Sequence, residues 1–187
     1  MKRAGKRIRR ALPALLLALV LTVGISAAVC RVSLKTTEYT VAVRGLIAPL
    51  RTVVLSDLHS REYGKDNAAL LARVAQQQPD AIFCVGDFID SDAAPAQLQR
   101  LYQLLRRLGE IAPVFFSPGN HEIAYMESHG SELLDAVAAT GATVLYDRWV
   151  QTTLGGAVVR IGGSCGHFRD INRSAKLDYA MEETIGA

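Results

Sequence analysis

Six polar residues that can bind metal ions or transfer protons follow directly after three apolar segments of this sequence. In chain order they are Asp57, His59, Asp87, Asn120, His121 and Glu122. Carboxylate, amide and imidazole groups without a thiolate suit a hard or borderline divalent cation such as manganese, iron or zinc. A carboxylate such as Asp87 can also bridge two cations about 3.5–4 Å apart, the separation used by two-metal hydrolases. This residue set therefore predicts a metal-dependent hydrolytic site.

The local spacing supports that interpretation. Asp57 and His59 flank a single residue, so in an extended segment both side chains can point to the same side. Gly86 and Gly119 allow sharp turns where a side chain would obstruct a close-packed site. Each motif by itself is more often a turn or a helix cap, but the three together, each after an apolar segment, favour a metal site.

The hydrophobic pattern predicts the elements that would position these residues. Strands buried on both faces are predicted by the apolar runs at 52–56, 81–85 and 113–116. Amphipathic helices are predicted at 65–78, 95–108 and 132–140. Strands without intervening helices are predicted at 143–146, 150–153 and 157–161, and a half-exposed strand is predicted at 39–44. The alternation predicts an α/β fold, in which ligand sites form beyond the carboxyl ends of the strands.

The first 30 residues have a different pattern. Six of the 21 Lys and Arg residues lie at 1–10, and no charged residue occurs from 11 to 30. Such a run is long enough to cross a bilayer as a helix, and the basic flank places the N-terminus in the cytoplasm and the later residues outside. A cleaved signal peptide is the alternative, because small residues occupy 26–28. The predicted organisation is a basic flank at 1–10, a transmembrane anchor or signal at 11–30 and a catalytic domain at 36–187.

Charge and cysteine content exclude other classes of protein. Beyond residue 10 the chain carries 15 basic against 18 acidic residues, so no nucleic-acid-binding patch is indicated. Three scattered cysteines, Cys30, Cys84 and Cys165, form neither a disulfide framework nor a zinc motif. Cys84 lies in an apolar run and is predicted to be a buried hydrophobic residue.

The three motifs resemble those of a known family. Asp57-x-His59, Gly86-Asp87 and the tetrapeptide at 119–122 are similar to the first three motifs of the calcineurin-like metallophosphoesterases. The N-terminal segment and the sequence VVLSDLHS resemble the membrane-anchored or exported bacterial branch. The resemblance extends over about residues 36–163. It implies a four-layer α/β/β/α sandwich with a dinuclear metal centre at its edge.

The resemblance also implies roles for the individual residues. Asp57 and His59 would hold the first metal ion, and Asp87 would bridge both ions. Asn120 would bind the second ion. His121 would contact the scissile phosphate and protonate the leaving oxygen rather than bind metal. Glu122 is expected to orient that histidine or a neighbouring loop amide.

The sequence departs from the family pattern in its C-terminal part. The family completes its site with further histidines, including a Gly-His-x-His motif, whereas this sequence contains only four histidines. Besides the two already named, His129 is predicted to be an exposed cap residue, and His167 is a candidate for a substrate loop. The sequence is therefore interpreted as the N-terminal part of a phosphoesterase domain.

Three functions are compatible with these features. The first is a metal-dependent phosphoesterase, favoured as a phosphodiesterase, that hydrolyses a phosphate ester outside the cytoplasm with water activated by two divalent metal ions. Its substrate would derive from an envelope lipid, a cell-wall polymer or a nucleotide. The second is an inactive metal-binding fragment or pseudoenzyme that serves as a membrane-tethered binding module. The third is a structural domain in which the polar strand ends are only turns.

Overall fold

The computed structural model describes residues 16–17, 19–24, 33–43, 45–46 and 48–164. The chain separates into two units, Met1–Thr40 and Val41–Ala187. In the first unit, residues 16–17 and 19–24 are helical. Among the described residues, no helix is both long enough and apolar enough to cross a membrane. Most of the predicted anchor at 11–30 lies outside the described residues, and the anchor stays a prediction.

Four parallel strands form the main sheet of the second unit, in the order β1-β2-β3-β4. The strands are Thr52–Leu55 (β1), Ala81–Val85 (β2), Val114–Ser117 (β3) and Thr143–Val144 (β4). The connections contain a 3-10 turn at Lys65–Asn67 and the helices Ala68–Gln76 (α1), Pro95–Gly109 (α2), Asn120–His129 (α3) and Glu132–Ala138 (α4). Since the strands are parallel, their carboxyl ends share one edge of the sheet. The predicted α/β fold is confirmed.

An antiparallel hairpin follows the parallel sheet. Its strands are Arg148–Leu154 (β5) and Ala157–Gly163 (β6), joined at Gly155 and Gly156. Both glycines have positive φ, as two-residue hairpin turns require. The predicted change from helix-linked strands to adjacent strands is therefore confirmed.

Strands β2 and β3 are largely buried, in accordance with their continuous apolar runs. The prediction that the run at 52–56 is buried on both faces is wrong, because β1 has only β2 as a neighbouring strand among the described residues and Val54 is 60% exposed. One face of the sheet contacts the hairpin through a core cluster of four buried residues: Ala81, Phe115, Leu145 and Leu154. Neighbouring positions point to the other face, where Phe116, Ile82 and Cys84 are fully buried. Helix α2 contacts β3 and buries four leucines along one side: Leu101, Leu104, Leu105 and Leu108. The prediction that Cys84 acts as a small buried hydrophobic residue is confirmed.

The half-exposed strand predicted at 39–44 is wrong over residues 39–43, which belong to no strand. The alternating side chains Tyr39, Val41 and Val43 are 86%, 75% and 59% exposed. Alternation specifies which side chains share a face, but a strand also requires a neighbouring backbone for its hydrogen bonds. Within the described part of the chain, no strand pairs with this segment.

The hydrophobic pattern also fails to predict helix α3, because the apolar residues of Asn120–His129 do not form a single stripe. The helix begins with a hydrogen bond from the Gly119 N–H to the Glu122 carboxylate, 2.8 Å long. A glutamate at the third position of a helix commonly accepts this bond from the preceding residue. The helix start therefore depends on a polar side chain rather than on hydrophobic periodicity.

Candidate metal centre

The loops that follow β1 and β2 lie side by side at the carboxyl edge of the sheet. Three backbone hydrogen bonds join them beyond the strands: Asp57 N–H to Gly86 O (3.2 Å), His59 N–H to Asp87 O (2.9 Å) and Ser60 N–H to Phe88 O (2.7 Å). These bonds hold the two acidic motifs next to each other. The expectation that successive strand ends deliver their polar residues to one edge is confirmed for these two loops.

The backbone of this region is left-handed rather than extended. Asp57, His59 and Asp87 have φ values of 57°, 47° and 57°. The expectation that an extended segment directs Asp57 and His59 to one side is therefore wrong in its geometry. Non-glycine residues rarely adopt positive φ, and such conformations persist where the surrounding structure holds them in place. The hydrogen bonds between the two loops provide that constraint.

Gly86 and Gly119 let the turns after β2 and β3 approach each other closely. A Cβ atom on Gly86 would lie 2.6 Å from the Gly119 Cα, and Gly86 also has a φ of +77°. A Cβ atom on Gly119 would lie 2.7 Å from the Asp87 backbone nitrogen. Real Cβ atoms do not approach other atoms so closely, so the predicted need for glycine at both positions is confirmed.

Glu122 is fully buried and accepts hydrogen bonds from four backbone amides. Its Oε1 accepts from Phe88 (2.7 Å) and Ile89 (3.1 Å), and its Oε2 accepts from Asp87 and Gly119 (both 2.8 Å). Hydrogen bonds to an ionised carboxylate are stronger than those between neutral groups. Of the two roles expected for Glu122, contact with loop amides is the one seen, and it connects the turn after β2 to the start of α3.

Asp57, His59 and Asp87 form a group that can hold a metal ion. One potential ligand atom from each residue lies within 4.8 Å of the others. The Asp57 carboxylate accepts a hydrogen bond from the Ser56 hydroxyl, and Asp87 Oδ1 accepts one from the His121 N–H at 3.1 Å. Two carboxylates and an imidazole suit a hard or borderline divalent cation. The residues present therefore fit the metal chemistry predicted from the sequence.

Asp90 is a further polar residue at this edge, and the sequence analysis missed it. Its Oδ1 lies 2.9 Å from His59 Nδ1. His59, Asp90 and His121 form a second group whose potential ligand atoms lie within 4.8 Å of one another. The signal in the sequence was an acidic residue three positions after Asp87, in the loop that already carried a predicted ligand.

Asn120 and the other candidates outside these two groups have the following positions. Asn120 is exposed at the first position of α3, directly after Gly119. His129 is exposed at the end of the same helix, where its ring stacks on Tyr125, and it belongs to neither metal-binding group. His167 lies outside the described residues. Burial raises the pKa of the Cys84 thiol, which keeps it protonated and unsuited to metal binding.

Comparison with known families agrees with this site. The family model of the calcineurin-like phosphoesterases matches residues 50–180, a range that contains both metal-binding groups. The chain therefore belongs to the calcineurin-like phosphoesterase family and is a metal-dependent hydrolase of phosphoric esters. A comparison with curated proteins found no match.

Proposed function

We propose that this protein is a phosphodiesterase that uses two divalent cations, of manganese, iron or zinc, at the carboxyl edge of its parallel sheet. The observation that carries the proposal is the convergence of Asp57, His59 and Asp87, whose potential ligand atoms lie within 4.8 Å of one another. Membership of the phosphoesterase family supports the reaction class. The preference for a diester rests on the resemblance to the exported bacterial branch.

In this proposal, Asp57 and His59 would hold one cation, Asp87 would be a ligand of both cations and Asn120 would hold the second. Bound cations neutralise phosphate oxygens and lower the pKa of water, which makes a nucleophile available near neutral pH. The protein contributes the positions of these ligands. The backbone N–H of Asp87 donates a hydrogen bond to the Glu122 carboxylate, and the Asp87 carboxylate accepts one from the backbone N–H of His121.

His121 acts in this proposal as the acid that protonates the leaving oxygen. Its backbone hydrogen bond to Asp87 ties the start of α3 to the proposed bridging ligand. Its ring lies against that of His59, with centroids 4.7 Å apart and an interplanar angle of 89°. A protonated imidazole beside the phosphate would stabilise the departing alkoxide by donating its proton.

The proposed fold is the four-layer sandwich of the family. The β5–β6 hairpin packs against one face of the parallel sheet through Leu154, and it would belong to the second sheet layer. Helix α2, in contact with β3, would belong to one of the outer layers.

Hydrolysis of a chromogenic phosphodiester by the full 187-residue chain, loaded with manganese, tests the proposed reaction. The Asp87→Asn change should reduce kcat/KM at least about 100-fold, because it removes the charge that bridges the two cations. Asp92→Asn provides a matched control, since it makes the same chemical change at an exposed position of the same loop. Circular dichroism should show that both variants keep the native secondary structure.

Three results would contradict this proposal. Equal activity of the Asp87→Asn and Asp92→Asn variants would exclude the bridging role of Asp87. Faster hydrolysis of a monoester with the same leaving group would exclude the preference for diesters. A folded chain that binds manganese without hydrolysing either ester would favour the binding-module alternative.

We also propose that residues 11–30 anchor the protein in a membrane, with the N-terminus in the cytoplasm and the catalytic domain outside. The uncharged run at 11–30 and the basic residues before it support this topology. A phosphate ester derived from an envelope lipid, a cell-wall polymer or a nucleotide would then be the accessible substrate.

A reporter that is active only outside the cytoplasm, fused after residue 35, tests this location. The fusion should be active and should remain in the membrane fraction. The matched Leu21→Arg fusion should insert less well, because a central arginine costs about 2.5–3.5 kcal/mol on the insertion scale. An inactive wild-type fusion would exclude the topology, and release of active reporter from the membrane would favour the cleaved signal peptide.

A further inference from the structure

Three ring side chains lie along one side of helix α3, starting at the proposed catalytic acid. His121, Tyr125 and His129 follow one another at intervals of four residues. Residues four positions apart are neighbours on the surface of a helix. Because a helix rises 1.5 Å per residue, Tyr125 and His129 lie about 6 Å and about 12 Å along the axis from His121. The row of rings therefore extends from the proposed metal centre along the helix.

Tyr125 and His129 form a stack. Their ring centroids are 4.2 Å apart, and the two rings are nearly parallel, with an interplanar angle of 11°. The Nδ1 atom of His129 lies 3.0 Å from the carbonyl oxygen of Tyr125, and since a carbonyl only accepts, the ring nitrogen is the donor. This bond fixes the orientation of an imidazole that is exposed to solvent. The stack is therefore a preformed flat surface with an accessible outer end.

Tyr125 is the inner end of the stack, and helix α2 supports it. Its side chain is half-buried, whereas that of His129 is exposed. Burial raises the pKa of Tyr102 on α2, and electrostatic interaction with Tyr125 raises it further, which requires the two phenol groups to lie close together. The position of Tyr125 is thus constrained from two sides, by Tyr102 and by His129.

We propose that Tyr125 and His129 bind the base of a nucleoside phosphodiester whose phosphate lies at the metal centre. Every nucleobase has a flat aromatic face, and stacking of a base on an aromatic side chain strengthens binding roughly 5- to 150-fold. In a nucleotide, one sugar ring separates the base from its phosphate, which suits rings placed one and two helical turns from His121. The inference rests on the proposed phosphodiesterase function, and it selects the nucleotide derivatives among the proposed substrates.

Two chromogenic diesters that both release 4-nitrophenol test this preference with the manganese-loaded full chain. One is the thymidine 5′-ester of 4-nitrophenyl phosphate, and the other is the methyl ester, which has no base. We expect kcat/KM to be at least about tenfold higher for the thymidine ester, through a lower KM, because only this ester can stack on the rings. Equal values for the two esters, or faster hydrolysis of the methyl ester, would overturn the proposal.

Substitutions at Tyr125 separate stacking from a merely structural role. Tyr125→Leu should raise KM for the thymidine ester about tenfold and should change kcat/KM for the methyl ester less than about twofold. Tyr125→Phe is the matched control, since it keeps the ring and should keep the preference. His129→Leu, at an exposed position, should reduce the preference in the same direction. Equal losses for both esters in the Tyr125→Leu and His129→Leu variants would contradict the proposed base site.

A binding measurement distinguishes failure of this site from failure of the proposed activity. Thymidine 5′-monophosphate, added to the metal-free full chain, should shift the ring-proton NMR signals of His129, and 2-deoxyribose 5-phosphate should not. Hydrolysis of both esters without preference, together with unchanged His129 signals, would remove only the base site. Shifts that Tyr125→Leu abolishes, in a chain that hydrolyses neither ester, would support the base site and remove only the proposed activity.

Discussion

The loops after β1 and β2 carry similar acidic motifs, but different parts of the protein hold them. The loop after β2 is bound from the interior, since the buried carboxylate of Glu122 accepts the N–H groups of Asp87, Phe88 and Ile89. The loop after β1 is bound mainly to its neighbour, through backbone bonds such as His59 N–H to Asp87 O and through the contact of His59 with Asp90. The position of the loop after β1 therefore depends on the loop after β2.

This difference separates two ways of building one site. Buried hydrogen bonds to the Glu122 carboxylate make the loop after β2 a fixed reference within the fold. The loop after β1 is placed relative to that reference and has exposed residues such as Ser56 and Asp57. Changes at Glu122 should therefore disturb both loops, whereas changes within the loop after β1 should have local effects.

The largest effect is expected from Glu122→Gln. Glutamine keeps the shape of the side chain but can accept hydrogen bonds at only one of the two oxygen positions, so two of the four amides lose their acceptor. Each orphaned buried donor costs about 1–3 kcal/mol, and the free energy of unfolding should fall by about 2–6 kcal/mol. Urea denaturation measures this loss, and manganese binding should weaken in the same variant.

The exposed Glu127 of the same helix provides the control for this change. Glu127→Gln should alter the free energy of unfolding by less than about 0.5 kcal/mol. A Glu122→Gln variant as stable as the Glu127→Gln variant would show that the buried carboxylate does not anchor the loop after β2.

An intermediate effect is expected from Gly119→Ala. The new Cβ would lie 2.7 Å from the Asp87 nitrogen and 2.9 Å from the Gly86 Cα, so the two turns must separate. Overpacking of this kind costs about 1–3 kcal/mol and should displace the proposed bridging ligand. Both thermal unfolding and manganese affinity should show the loss.

Gly109→Ala is the matched control, because nothing lies within 4 Å of the added Cβ at this last residue of α2. It should stabilise the protein by up to about 1 kcal/mol, since alanine has the higher helix propensity. Equal effects of the two substitutions would contradict the close approach of the turns at Gly86 and Gly119.

The smallest effect is expected from Ser60→Ala in the loop after β1. The Ser60 hydroxyl is buried without a hydrogen-bond partner among the described residues. Its removal should leave the free energy of unfolding unchanged or raise it by up to about 1 kcal/mol, because an unsatisfied polar group disappears. Ser56→Ala, which removes a hydroxyl bonded to Asp57, should instead lower it by about 0.5 kcal/mol. A larger loss of unfolding free energy for Ser60→Ala than for Ser56→Ala would contradict the conclusion that the Ser60 hydroxyl has no partner among the described residues.

Several elements could be predicted because their signals are local. The run at 81–85 matches β2, and the helix predicted at 95–108 matches α2 at Pro95–Gly109. Continuous apolar residues indicate a strand buried on both faces, and a stripe with a proline at its start indicates a helix. These patterns involve residues that are close together in the chain, so the sequence alone is enough to recognise them.

Other features could not be predicted because their causes are distant in the chain. Helix α3 begins with a local bond from the Gly119 N–H to Glu122, but the other contacts that fix this carboxylate join it to amides more than 30 residues earlier. The left-handed backbone at Asp57 depends on a hydrogen bond to Gly86. At residues 39–43 the local pattern predicted an element that does not form. The alternation favoured a strand, but no described strand pairs with this segment.

The sequence by itself determined the parallel strands, three of the four helices that connect them, the glycine turns and the residue types that define a metal-dependent phosphoesterase. Hydrophobic periodicity and short motifs indicate these properties from residues that are close together in the chain. Only the tertiary structure decided that Glu122 holds the turn after β2 and that Asp90 meets His59 and His121. Those contacts join residues more than 30 positions apart, and their positions follow from how the strand ends pack rather than from any local pattern.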